Sequence, residues 1–99
     1  MKKVDKHLNT DEAFILKVGV ALLIAADVEG DIVDFEIVNM KQGVLYNIPK
    51  GVWHNIALSH DAEVFIVENS YTHESDFEYH YLTEQQIRDL NNKIDVILK

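Results

Sequence analysis

The sequence predicts a single all-β domain, a sandwich or barrel, covered by one amphipathic C-terminal helix. Three observations carry that prediction. From Ala13 to Asn69 the apolar residues come in short bursts separated by turn formers, as a succession of strands does. Two bursts, Val20 to Ala26 and Val64 to Val67, are apolar on both faces, so each needs cover on two sides by other strands, the helix or a second subunit. After residue 82 the apolar spacing becomes helical. The 99 residues leave room for one core, with a barrel over about 12–82 and a helix over about 83–98. A domain of this size buries roughly 60 to 70% of the surface its unfolded chain exposes.

In chain order, Lys2, Lys3 and Lys6 form the one dense basic group and read as a solvated amino-terminal end. Strands are expected near residues 13–18, 20–26, 32–38, 43–48, 52–57 and 63–68. Glu29-Gly30-Asp31, Lys41-Gln42-Gly43, Pro49-Lys50-Gly51 and His60-Asp61 supply the turns between them. In the third strand Val33, Phe35 and Ile37 share one face, and Asp34 and Glu36 the other, so one side is wet. Ser70 to Glu78 is a polar connection that leads to a short strand at Tyr79 to Leu82. Thr83-Glu84-Gln85-Gln86 is a capping box, and Leu82 and Ile87 stand where a hydrophobic staple fixes the start of the helix. Ile87, Leu90, Ile94 and Ile97 then form one apolar stripe that packs on the sheet or on a partner.

Composition narrows the function classes. A net charge of -8 argues against nucleic acid and anionic membrane surfaces, which require clustered cations. The absence of cysteine rules out disulfides, thiolate metal sites and cysteine nucleophiles. The longest apolar run, Val18 to Ala26, is too short to span a bilayer and too far from the start for a signal peptide, so a cytoplasmic setting is expected. No Gly-x-Ser-x-Gly elbow surrounds Ser59, Ser70 or Ser75, and the dispersed glycines form no phosphate-cradling loop.

The segment Gly43 to His54 is the richest in chemical information. Its Gly, Pro, Gly and His describe a strand, a tight turn and a second strand that carries an imidazole. Alternation places Val52, His54 and Ile56 on one face of that strand and Trp53, Asn55 and Ala57 on the other. With an unperturbed pKa near 6.5, His54 suits general acid or base work or metal ligation. The alternative is a core histidine satisfied by a neighbouring polar group.

Gly43-x5-Pro49-x-Gly51-x2-His54 resembles the second conserved motif of the cupin superfamily, small β-barrels of jelly-roll type. The Asn that usually ends the motif is replaced by Leu58. From Asp34 through Gly51-Val52-Trp53-His54 the chain is also similar to the ureidoglycolate lyase family, where a Trp-His pair follows a Gly on the corresponding strand. The resemblance implies a cupin-type jelly-roll barrel. The His-x-His pair of the first cupin motif is lacking, since the only histidine upstream of His54 is His7, in the polar amino-terminal segment. A lone imidazole binds divalent ions weakly. Neither a metal nor another cofactor is therefore expected.

Tyr46, on the strand before the Pro49 turn, is a candidate to orient His54 or a ligand, and otherwise a core ring with its hydroxyl at the rim. Lys17 and Glu36 interrupt apolar surroundings and are candidate ligand-binding charges, or else solvent-facing positions. Trp53 reads as an interface anchor or as packing under the helix. His73, Glu74, Asp76, Glu78 and His80 are metal ligands by type, but read as a hydrated loop. Two functions follow. One is a metal-independent lyase or isomerase acting on a small polar acid, ureidoglycolate-like by resemblance, with His54 as acid or base. The other is a non-catalytic module that binds a small ligand or a protein. A homodimer is expected in either case, joined through the helix or an edge strand.

Overall fold

The computed structural model describes residues 1–8, 10–68 and 77–98. Its elements are β1 (Lys3–His7), β2 (Glu12–Val18), β3 (Ala21–Glu29), β4 (Ile32–Asn39), β5 (Leu45–Ile48), β6 (Trp53–Leu58), β7 (Glu63–Glu68), β8 (Phe77–Tyr81) and α1 (Glu84–Leu98). One antiparallel sheet of five strands runs β4-β3-β6-β1-β8 and a second, of three, runs β5-β2-β7. Among the described residues the two sheets do not close into a barrel. No helix among the described residues is long and apolar enough to cross a membrane.

Two cores divide the molecule into three layers. Ile24 and Ala26 of β3 join Val4, Phe35, Leu82 and Leu90 in a core between the larger sheet and α1. Ala21 and Leu23, on the alternate face of the same strand, join Phe14, Leu16, Met40 and Ile48 in a core between the two sheets. The run Ala21 to Ala26, apolar at every position, suits this central place, because each face has its own layer to fill. In β4, Val33, Phe35 and Ile37 pack toward the helix while Asp34 and Glu36 are exposed, as their alternation predicts.

At the start of α1 the Gln86 amide donates to Thr83 Oγ1 at 3.1 Å and the Thr83 amide donates to Gln86 Oε1 at 2.9 Å, the reciprocal pair of a capping box. The Gln86 side chain also donates to the Asp31 carbonyl at 3.0 Å, which ties the helix start to the β3–β4 turn. Leu90 is fully buried, and Ile87 and Ile94 pack beside it. The apolar stripe of the helix is thus spent on its own sheet.

One expectation needs correction. The amino-terminal lysines are not a solvated end: Lys3–His7 is an internal strand between β6 and β8. Its one aliphatic residue, Val4, is 0% exposed. Its lysines hold their ammonium groups over aromatic rings, with Lys3 Nζ 3.5 Å from the Tyr79 centroid and Lys6 Nζ 4.6 Å from that of Trp53. Lys6 also reaches Glu78 at 3.6 Å. Long basic side chains can line a sheet in this way while their charged ends reach water or a carboxylate. β7, expected to be covered on both sides by other strands, the helix or a second subunit, is an edge strand whose Phe65, Ile66 and Val67 are 56%, 53% and 60% exposed, so no strand or helix among the described residues supplies that cover.

Candidate functional site

The turn before β6 places the candidate histidine. Gly51 has φ +81°, a conformation that costs a side-chain-bearing residue roughly 1–2 kcal/mol. Its amide donates to the His7 carbonyl at 2.7 Å, and the amide of Lys50 donates to Asp11 Oδ1 at 2.9 Å. The turn is therefore clamped to the end of β1 and to the residue before β2. Three chain segments meet there, and each contributes one side chain facing between the sheets: His7, Glu12 and His54.

His54 is 4% exposed and lies opposite Asp5 of β1 and Ala25 of β3. Glu12 shares the inward face of β2 with Phe14 and Leu16, and its side chain is 11% exposed. One Glu12 oxygen, Oε1, lies 3.1 Å from His54 Nε2, and the other, Oε2, lies 3.4 Å from His7 Nε2. A single carboxylate is thus bracketed by two imidazoles, whose ring centroids are 5.4 Å apart. Phe14 closes another side, its ring 6.3 Å from that of His54 in an edge-on arrangement.

The two nitrogens of His54 have different neighbours. Nδ1 is 3.0 Å from the Val52 carbonyl, which can only accept, so Nδ1 carries a proton. Nε2 then faces Glu12 with a lone pair if the ring is neutral, which is repulsive, or with a second proton if it is charged. Burial opposes the charge, but the Glu12 hydrogen bond, the Val52 carbonyl and the negative charges of Glu12 and Asp5 outweigh it, and the pKa is raised above 6.5. A divalent cation would satisfy the same geometry by taking the Nε2 lone pair. A ligating histidine commonly donates its other N–H to a backbone carbonyl, as His54 does here.

The residues fit such an ion. One donor atom from each of His7, Glu12 and His54 lies within 4.8 Å of the other two. Two imidazoles and a carboxylate form a set suited to Fe(II), Mn(II) or Zn(II), with the remaining positions left to water or a ligand. Asp5 lies outside that group of donors. It shares the inward face with His54 and adds negative charge, and its buried Oδ1 has no hydrogen-bond partner among the described residues.

Of the candidates drawn from sequence, only His54 belongs to this cluster. Tyr46 packs between the sheets opposite Phe14, and its hydroxyl accepts from the Lys41 amide at 2.9 Å. Lys17 is 58% exposed, on the outer face of β2, with its Nζ 3.8 Å from Glu63. Glu36 is exposed on β4, one strand beyond Ala25, and lines a surface groove of about 250 Å³ with Asp27 and Asp34. Trp53 packs in the core toward the helix. Glu78 pairs with Lys6 and His80 lies 5.8 Å from Trp53, so neither reaches the cluster, while His73, Glu74 and Asp76 lie outside the described residues.

His7 and Glu12 escaped the sequence reading. Their signal was the alternation of Lys3 to His7 around Val4, which sets Asp5 and His7 on one face, followed within five residues by an acid at the head of an apolar strand. No family model matches the chain, and no curated protein matches it.

Proposed function

We propose that this chain is a small cupin-like protein that holds a divalent cation on His7, Glu12 and His54 and binds a small polar molecule at that ion. The observation that carries the reading is the convergence of three buried donor atoms from three segments, with the Val52 carbonyl fixing the tautomer of His54. Two facing antiparallel sheets, and a Pro49-Lys50-Gly51 turn that delivers the histidine between them, support the cupin-like assignment and its jelly-roll topology.

When bound, the cation supplies Lewis acidity, polarising an oxygen of the ligand or lowering the pKa of a water. The residues of the chain supply the rest. Glu12 contributes a charge that offsets the ion, Val52 orients His54, and Phe14 with the interlayer core keeps bulk water from one side of the cluster. The ion also answers a difficulty of charge. A chain at -8, with no lysine or arginine in the cluster, has little to attract an anionic ligand, and a divalent cation provides that attraction.

A second reading has its own support. Without metal, the pKa of His54 is raised against the effect of burial, so it holds a proton at Nε2 toward Glu12 more readily than a free imidazole does, which suits general acid work on a small, ureidoglycolate-like acid. Thermal denaturation of metal-stripped protein separates the two. Mn(II), Fe(II), Zn(II) and small carboxylic acids, ureidoglycolate included, are added singly and in pairs. The metal reading expects an ion to raise Tm and an acid to raise it further only when that ion is present. An acid that acts equally without metal, and is converted to product, overturns it in favour of the lyase or isomerase. Binding without turnover identifies a ligand-binding module.

A further inference from the structure

The outer face of the three-stranded sheet has no layer over it among the described residues. Register aligns Leu45, Ile15 and Phe65 in one row across β5, β2 and β7, and Asn47, Ala13 and Val67 in the next. Leu45 is 60% exposed, Phe65 56% and Val67 60%. The largest contiguous apolar area of a monomer, roughly a few hundred Å², often serves as a contact surface. On the helix, Ile87, Leu90 and Ile94 already pack on the larger sheet, which leaves only Val96 and Leu98, at its end, as exposed large apolar side chains.

We infer that this face is where a second copy of the chain packs, sheet on sheet about a two-fold axis. Charge selects that occupant. The whole chain carries -8, so two copies repel each other over most of their surfaces. Only two charges stand on the outward positions of these strands, Lys17 and Glu63, and they are opposite in sign and paired at 3.8 Å. The acid excess is therefore absent from the one face where a like-charged copy must approach. A self-complementary apolar surface with a neutral rim is what an isologous contact uses, and facing sheets pack well at the angle their twist imposes.

Three strands of this length present a footprint of roughly 15 by 20 Å. That is about 300 Å² in projection, below the roughly 600 Å² of accessible surface that a specific contact takes from each subunit, so side chains at the rim of the sheet have to add to it. The dimer is accordingly a small contact in exchange with monomer. The inference does not depend on the metal reading, since the face lies on the opposite side of β2 from Glu12, Phe14 and Leu16.

Sedimentation velocity of the full chain over a wide concentration range tests it, with Phe65→Lys, Leu45→Lys and Ile32→Lys. The third is a control on the edge strand of the other sheet, where Ile32 is 66% exposed. Each lysine makes the chain less negative, so a lost dimer cannot be blamed on added repulsion. The wild type and Ile32→Lys are expected to shift from monomer to dimer mass as concentration rises. Phe65→Lys and Leu45→Lys, with unchanged circular dichroism, are expected to remain monomeric. If Phe65→Lys fails to fold, Leu45→Lys on the opposite edge decides. A wild type that stays monomeric at every concentration overturns the inference, as does a dimer that survives Leu45→Lys or is lost equally in Ile32→Lys.

Discussion

His54 is governed by what each ring nitrogen faces. Without a metal, its pKa is raised chiefly by Glu12 against the opposing effect of burial. Its charged form is therefore stabilised by folding, and that stability is fully present below about pH 6.5, the unfolded value, and lost as pH rises through the higher folded value. Chemical denaturation of metal-stripped protein is expected to show a midpoint that falls as pH rises above 6.5, and Glu12→Gln should flatten that slope. A slope unchanged in Glu12→Gln would mean that the pair does not set the titration. The ion competes with the same proton at Nε2, so metal affinity should rise with pH over this window.

The elements explain how residues distant in sequence meet. In β1 a single buried aliphatic residue anchors a strand that is otherwise polar, so Val4→Ala should cost about 2 kcal/mol in a denaturation experiment. Such a loss is far larger than a solvated end would show. Thr83→Ala removes one half of the capping box and should cost about 1 kcal/mol. Asp11→Ala frees the Pro49 turn from β2 and should weaken metal binding while leaving the three donors intact. The helix, its cap and the strands from β2 to β7 were legible because period, caps and turn residues agree along those segments. β1 was not, because its lysines look solvated when their partners Trp53 and Tyr79 lie far along the chain. The same blindness hid His7. Tyr46 and Lys17 were plausible by type, but only register shows that one packs between the sheets and the other faces outward.

At the scale of the whole molecule, the cluster joins the two sheets: His7 and His54 come from the larger, and Glu12 from the smaller. A bound ion would link two layers otherwise held by the apolar core, so its binding energy adds to global stability and not to a local loop. The expectation of a lone imidazole arose from counting ligands along the sequence. Pairing β1 with β6 and clamping the Pro49 turn to the head of β2 supplies the other two. The most direct test is isothermal titration of Mn(II) and Zn(II) into metal-stripped wild type, His7→Ala and Glu12→Ala at pH 7.5. The account predicts one ion per chain in the wild type and a loss of at least about tenfold in affinity in each variant, since each removes a direct ligand, where even outer-shell partners are worth roughly 10–100-fold. No binding in the wild type, or binding that both variants retain undiminished, would contradict it.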